Sequence, residues 1–595
     1  MAGKYDAWSQ EQLIARIKEL EQQVGQPKGV TSLPTHEAND TASANASNTF
    51  SSTESVPVPY RKASKPLPKA FDASKYSTRL IALKFAYLGQ KYNGFEHHKN
   101  NSTPLPTVEE ELWKALVKTR LIQPISTRDE GTEFGRVNSK ESSAWDRESA
   151  DVNWDGCEYS KCGRTDRGVS AFGQVIGVRV RSNKPLPKPP PQNEEGEVED
   201  SLPSPTKPNT NTEPFNDLTS ELPYIQLLNR VLPPDIRIYA WCPNPPPNFN
   251  ARFSCKERRY KYFFTNPCFA PVPGSSGLYN ATSSPSTPPT VTREGWLDIP
   301  AMQQACASLI GLHDFRNFCK IDASKQLTNF QRRIFHADIE RISPLSVPEF
   351  LQHPALGDQQ PTIYAFTLHG SAFLWHQVRS LVAILFLVGQ RLESPNLIPQ
   401  LLDISANPTR PKYEMASDAP LVLWDCIFPR EQEVQSAEER QSGYEDSLQW
   451  IYVGDEGGTE PKFGGAAKDG RGRSSVGRGK WGRGGVIDDV WGVWRGNKID
   501  ETLSALLLDR IAGLGSATLD EEGVGDERVV GIARGGPRVF DGGDCGRAKG
   551  NYVPVLRRER QEAVEVVNER YARRKGWDLN GNGRRGASKE EDADE

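Results

Sequence analysis

The stretch CGRTDRGVSAF, residues 162–172, sets Asp166 between Arg164 and Arg167, bounds them with Gly163 and Gly168, and runs directly into GQVIGVRV. Arg164 and Asp166 are two positions apart, so in an extended segment their side chains share one side while Thr165 faces the other. The two glycines supply the backbone freedom for a tight loop. A carboxylate beside a guanidinium keeps its ionised form, because the opposite charge favours it. The chemistry such a group offers is that of a charged nucleophile or base acting beside an anionic substrate. The same spacing also serves a surface ion pair worth about 0–1 kcal/mol, and spacing alone does not separate the two.

Two further stretches hold residues of interest. ERRYKYFF places Tyr260, Tyr262 and Phe264 on one face of a strand pattern, which by itself reads as core packing. LWHQVRSL carries Arg379 near the start of an apolar helix, where by itself it reads as a surface cation. The nine cysteines contain no C-x-x-C pair and no Cys/His spacing of a zinc site, so they are read as ordinary thiols of a reducing compartment and no metal is expected.

The elements that must position these groups can be traced along the chain. SQEQLIARIKELEQQV opens with Ser9 and Gln12 in capping-box positions and predicts an amphipathic helix within 1–25, followed by a polar linker over 26–76. Ile81, Leu83, Phe85 and Tyr87 alternate as a half-buried strand, and Thr107 with Glu110 caps a helix after it. VIGVRVRS faces Ile176, Val178 and Val180 one way and Arg179 and Arg181 the other. Strands are then predicted at DIRIYAWC, ERRYKYFFT, RRIFHADIERI, TIYAFTLHG and LVLWDCIFP, and helices at ELPYIQLLNRVL, PAMQQACASLIG and LWHQVRSLVAILFLVG.

Several strands follow one another without a helix between them, which suits an antiparallel-rich α+β sheet. The expected division is a first catalytic half over 77–265 with insertions at 127–156 and 184–214, and a second over 266–430 with a loop at 270–293. A low-complexity Gly/Arg-rich linker over 431–485 and a partly helical extension with a basic tail over 486–595 complete it. The two segments DDVWGVWRGNKIDETLSALLLDRI and RERQEAVEVVNERYARRKG are expected to be helical and to dock back on the catalytic module.

Lys and Arg total 73 against 77 Asp and Glu, a net charge of −4, so nothing global attracts nucleic acid and local clusters must do so. The chain opens without the apolar segment of a signal peptide, and its longest apolar stretch, LVAILFLVG, is far short of the ~20 residues of a membrane span. A location in nucleus and cytoplasm, with no membrane association, is expected.

The blocks CGRTDRGVSAFGQV, LNRVLPPDIRIYAWCPNPPPNFNARFSCKERRYKYFF, LHDFRNFC and GSAFLWHQVRSLVAILFLVG, in this order, resemble the signature blocks of the TruA family of tRNA pseudouridine synthases. FLWHQVR, DFRNFCK and AYLGQKYNGF look most like its eukaryotic branch, which modifies positions 38 and 39 in the anticodon stem-loop. The resemblance implies an α+β pseudouridine synthase fold, two similar mixed or antiparallel sheet halves around a basic central cleft. It implies Asp166 as the catalytic carboxylate, forming an adduct with the target uridine by attack at C1′ or by another route through the ring or the sugar, since one carboxylate serves either. Arg164 is then expected to hold the flipped-out nucleotide, Tyr260 to lie on the base, and Arg379 to pair with Asp166. No cofactor is implied, since no electrons leave the substrate. The expected partner is tRNA, held at its anticodon arm by a homodimer. Arg179, Arg181, Arg258, Arg259, Arg332 and Arg333 become candidates for contacts to the RNA backbone, where they would position the RNA without reading its bases. Ser170 and Ala171 replace the His that bacterial members often carry after the Val, a change shared by the eukaryotic branch.

Overall fold

Ile81, Leu83, Phe85 and Tyr87 are all essentially inaccessible to solvent, and the strand they form, β1 (Ser77–Tyr87), is buried along nearly its whole length. In the computed structural model the described residues are 72–98, 103–123, 152–186, 215–268, 295–344, 362–430, 439–455, 485–514, 538–540 and 552–577, with a few isolated positions between them. All of them lie in one compact unit, Pro68–Glu595. The predicted helix at 9–24, most of the expected insertions, and the Gly/Arg repeats lie outside the described residues.

In chain order the elements that build the molecule are β1, α1 (Val108–Lys118), β2 (Ser160–Lys161), β3 (Ser170–Ser182), α2 (Tyr224–Asn229), β4 (Ile236–Cys242), β5 (Glu257–Asn266), α3 (Ile299–Ala307), β6 (Gly311–Asp314), β7 (Gln331–Pro344), β8 (Thr362–Gly370), α4 (Gln377–Gly389), α5 (Leu397–Leu402), β9 (Leu421–Ile427), β10 (Ile451–Tyr452), α6 (Val486–Ala512), β11 (Arg538–Val539), β12 (Arg547–Ala548) and α7 (Val564–Lys575). Ten strands form one sheet in the order β10-β4-β1-β3-β9-β5-β8-β7-β6, with β2 against β3. Every pairing is antiparallel except β3 with β9, where Ser170 and Ala171 lie beside Val422 and Leu423. That short parallel contact is the seam between two mostly antiparallel halves.

Each half has its own core. In the first, Leu112, Ala115 and Leu116 of α1 and Tyr224 and Leu228 of α2 pack with the buried side chains of β1, β3 and β4. The start of α1 is set as its sequence predicts, with the Thr107 hydroxyl accepting from the Glu110 amide at 3.2 Å. In the second, α3, α4 and α5 pack against β5, β7 and β8. All of α4 is buried except Arg379, as expected of a helix apolar on every side.

Three expectations are corrected here. β5, placed at the end of the first half, pairs only with β8 and β9, so the halves divide between β4 and β5 and not at 265. The segment 431–485 is not wholly linker: β10 pairs with Trp241 and Ala240 of β4, and Leu448 joins the first core. Leu448, Trp450, Ile451, Tyr452 and Val453 form a short apolar run between polar and Gly-rich stretches, and that run is the local signal for this strand. Of the two extension helices, α7 docks and α6 barely does. Only Val486 of α6 is buried, and Asp489 meets Arg237 at 3.0 Å. Val539, Phe540, Val555 and Val564 instead join the core of the second half.

Candidate active site

The loop from Cys162 to Val169 leaves β2 and enters β3 at the seam, and its shape is imposed by buried hydrogen bonds. The Gln174 side-chain amide, fully buried in β3, accepts from the Gly163 amide and donates to the Gly163 carbonyl, both at 3.0 Å. Thr165 turns inward and its hydroxyl meets that of Tyr87 at 2.7 Å, while its carbonyl accepts from Phe95. Gly168 has φ +80°, and a Cβ there would lie 3.0 Å from the Asp418 carboxyl carbon. Gly89 is equally constrained, since a Cβ would lie 2.1 Å from the Val169 carbonyl oxygen. With Thr165 held inward, Arg164 and Asp166 project to the other side, as two-residue spacing predicts.

Asp166 is met by residues from the turn before α4 and from its first turn. The Trp375 indole N–H donates to Oδ1 at 3.2 Å, His376 Nε2 lies 3.3 Å from Oδ2, and the Arg379 guanidinium lies 3.7 Å from Oδ2. Arg379 is itself held by donating to the Ala416 carbonyl at 2.9 Å. His376 has φ 63°, a left-handed conformation that costs a β-carbon residue of order 1 kcal/mol or more and turns its ring toward the carboxylate. Burial pushes the His376 imidazole below its ordinary value; Asp166 opposes the shift, and the charges of Arg379 and Lys320 add to it. At neutral pH it is therefore a neutral hydrogen-bond donor or acceptor. Trp375 is partly exposed, with the Lys320 ammonium 4.1 Å from its ring centroid. None of Trp375, His376 or Lys320 was singled out from sequence. A Trp-His pair three residues ahead of an arginine at the start of a buried helix was the available signal.

Arg164 does not sit against Asp166. Its Nε is 3.3 Å from Glu96, which also meets Lys161 at 2.9 Å. Burial alone would raise the Glu96 carboxyl, but Lys161 and Arg164 outweigh it and hold it below its usual range. The guanidinium beside Asp166 is thus that of Arg379. Arg164 keeps a largely exposed side chain at the mouth of the same cleft. Tyr260 lies in the cleft wall, edge-on to Phe373 with ring centroids 5.0 Å apart and touching both cores. Burial pushes its phenol above the ordinary tyrosine value, so it stays protonated.

Asp166, Arg164, Tyr260 and Arg379 share one cleft of about 990 Å³. Nine Lys or Arg side chains line it against three carboxylates, Glu96, Asp166 and Asp322, so a chain with a net negative charge carries a locally basic cleft. Such a surface suits a polyanion. The cations include Arg167 beside Asp166, and Lys161, Arg252, Lys256 and Lys325, whose scatter along the chain leaves no cluster to read in the sequence.

Of the six arginines read as backbone contacts, Arg258 and Arg332 line the cleft, but their donors face inward. Arg258 donates to the carbonyls of Ser371, Cys162 and Arg252, and Arg332 to those of Asn329 and Gln331. Both geometries fit bracing better than phosphate capture. Arg259 pairs with Glu257 at 2.7 Å, and Arg179 pairs with Glu158 at 2.8 Å beside a second depression that includes Arg79 and Lys184. Arg181 stacks over Tyr76, 5.0 Å from its centroid, and burial lowers its guanidinium below the ordinary value. Neither it nor Arg333 lines the cleft.

Among the described residues no helix is long and apolar enough to cross a membrane. A family model described as tRNA pseudouridine synthase matches residues 305–429. The tRNA pseudouridine(38/39) synthase of Saccharomyces cerevisiae is 40% identical over 425 residues, 71% of this chain and 72% of that protein. That of Bos taurus is 35% identical over 74% of this chain and 68% of its own length. A tRNA pseudouridine synthase A of Francisella tularensis is 26% identical over 54% of this chain and 84% of its own length.

Proposed function

Since the chain belongs to the tRNA pseudouridine synthase family, in its eukaryotic form, we propose that it isomerises uridine to pseudouridine at positions 38 and 39 of the tRNA anticodon stem-loop with Asp166 as the attacking carboxylate. The observation that carries the residue assignment is the three-sided hold on Asp166 by Trp375, His376 and Arg379 inside a cleft lined by cations. Its two oxygens are engaged by different donors, so the carboxylate is held in one orientation before substrate arrives, which is the condition for a positioned nucleophile.

In this reading the target nucleotide leaves its stack at a cost of a few kcal/mol, offset by phosphate contacts to the basic rim. Arg164 and Arg167, both exposed at the mouth, stabilise the extruded backbone. The uracil lies against Tyr260. The carboxylate adds to the nucleotide, the C1′–N1 bond breaks, the base turns, C5 bonds to C1′, and the bond from the nucleotide to Asp166 breaks, which frees the carboxylate. C5 loses its proton and N1 gains one, so atoms balance without any external reagent. Arg379 lies near enough to Asp166 to balance its charge throughout.

A homodimer, which the resemblance implies, and residence in nucleus and cytoplasm, expected from the sequence, are parts of the same proposal; sedimentation of the purified protein and fluorescent tagging test them. The central test is tritium release from anticodon-arm RNA labelled at C5 of uridine. Wild type is expected to release tritium, and Asp166→Asn to bind the RNA without releasing it. An Asp166→Asn protein that converts uridine at the wild-type rate overturns the assignment. Release from an arm that lacks uridine at 38 and 39 overturns the site preference.

A further inference from the structure

The thiols of Cys162, Cys255 and Cys426 converge directly beneath the cleft, with the three sulfur atoms all within 4.8 Å of one another and every side chain buried. Each belongs to a different part of the seam. Cys162 opens the loop that carries Asp166, Cys255 lies two residues before β5, and Cys426 lies in β9. Eight cysteines are described and all are buried, yet only these three meet. Their wide separation in sequence is why no zinc spacing was visible there.

We propose that Cys162, Cys255 and Cys426 bind one Zn²⁺ ion, which ties the Asp166 loop to β5 and β9. A zinc ion about 2.3 Å from each of three sulfurs sets those sulfurs roughly 3.8–4.0 Å apart, so the trio needs to contract by less than about 1 Å. Thiolate donors select soft or borderline cations and disfavour magnesium and calcium. Binding releases three thiol protons and leaves a trithiolate–zinc unit of charge −1. Arg258 balances it: its guanidinium acts electrostatically on all three sulfurs and donates to the Cys162 carbonyl at 3.1 Å. A monovalent copper ion in the same place would leave an uncompensated charge in a buried site, which favours zinc. The fourth position of the tetrahedron is left to a water molecule. The site is a brace, since Asp166 lies four residues beyond Cys162 and the Zn²⁺ ion would make no contact with the reacting nucleotide.

The test uses the full-length protein, purified under reducing conditions and dialysed against Zn²⁺. Metal analysis by mass spectrometry is expected to find one equivalent, and replacement with Cd²⁺ to give the ultraviolet band of cadmium–thiolate charge transfer. Cys162→Ser, Cys255→Ser and Cys426→Ser are each expected to weaken binding by at least about 100-fold, while Cys242→Ser and Cys306→Ser, buried thiols outside the trio, bind as wild type does. Serine in a buried position can weaken folding by itself, so near-ultraviolet dichroism accompanies each variant and the wild-type stoichiometry decides alone if none folds. Wild type that takes up no zinc, or takes copper(I) and not zinc, overturns the proposal. So does unchanged zinc affinity in three folded trio variants. Because the readout is metal content, an inactive protein holding zinc counts against the enzymatic assignment alone, and an active one without zinc counts against this inference alone.

Discussion

Gln174→Leu removes the side chain that shapes the Asp166 loop, and Gln174 itself does not line the cleft. Gln174 is fully buried and its amide satisfies both backbone groups of Gly163, at 3.0 Å each, and accepts from the Val175 amide at 3.3 Å. Leucine fills a similar volume but leaves the Gly163 N–H and C=O buried without partners. Each orphaned group costs about 1–3 kcal/mol, so the variant should lose about 2–6 kcal/mol, reduced somewhat by the more apolar side chain. The loop would also relax, and a shift near 1 Å at Asp166 is expected to slow single-turnover conversion about 100-fold while tRNA affinity changes little. Urea unfolding gives the first quantity; tritium release and filter binding give the second and third. Gln174→Glu sharpens the test. A protonated Glu can replace the amide as both donor and acceptor, whereas an ionised one cannot donate to the Gly163 carbonyl. Its folded-state pKa must therefore rise above the unfolded value, so the stability it contributes is present at low pH and lost as pH rises. Measured against wild type, the Glu variant should be nearer to native stability at pH 5 than at pH 8. A Leu variant within about 0.5 kcal/mol of wild type, or a Glu variant with the reverse pH trend, would refute the reasoning.

Four other outcomes are expected. Arg379→Gln should reduce conversion by at least about 100-fold while moving the thermal midpoint only slightly, because it removes charge beside Asp166 and one hydrogen bond to Ala416; tritium release and calorimetry check it. His369 is pushed down to about 4 by burial, with Arg259 and His336 adding to the effect, so between pH 6.5 and 4 the unfolded chain binds a proton that the native protein does not. Stability should therefore fall as pH drops through that window, by on the order of 3 kcal/mol, and His369→Gln should flatten the slope in urea titrations. Arg167→Ala and Lys256→Ala, at the rim of the cleft, should each make the salt dependence of tRNA binding shallower by about one in the log–log slope and weaken all tRNAs alike. Phe540→Ala should cost about 3–5 kcal/mol in chemical denaturation, because Phe540 is buried against Phe386 with ring centroids 4.7 Å apart.

The readable part of this molecule is the part where local pattern and tertiary role coincide. Thr107 with Glu110, the alternation from Ile81 to Tyr87, and the uniformly apolar α4 each state their structure in a short window, and each element appears at that place. Asp166, Tyr260 and Arg379 drew notice by residue type within ordered blocks, and the fold brings all three to one cleft. What sequence did not carry is pairing across long distances. That β5 belongs with β8 and β9 depends on register, which no strand encodes by itself. The Arg164–Glu96 pair and the meeting of Trp375 and His376 with Asp166 depend on segments far apart in the chain. Phe540 and Val555 lie in stretches rich in Gly, Arg and Pro, where isolated apolar residues show no period although they fill a core.

β9 carries a consequence for how the enzyme comes into being. The two sheet halves meet through this one short strand, and the floor under Gly163 is the Leu423 side chain, whose Cδ2 would lie 3.1 Å from a Cβ at that glycine. Arg379 likewise leans on Ala416, just ahead of the strand. A nascent polypeptide emerging from the ribosome therefore holds Asp166 for more than two hundred and fifty codons before its floor is translated. Prematurely terminated fragments ending before residue 421 would carry the reactive aspartate yet lack the seat that aims it.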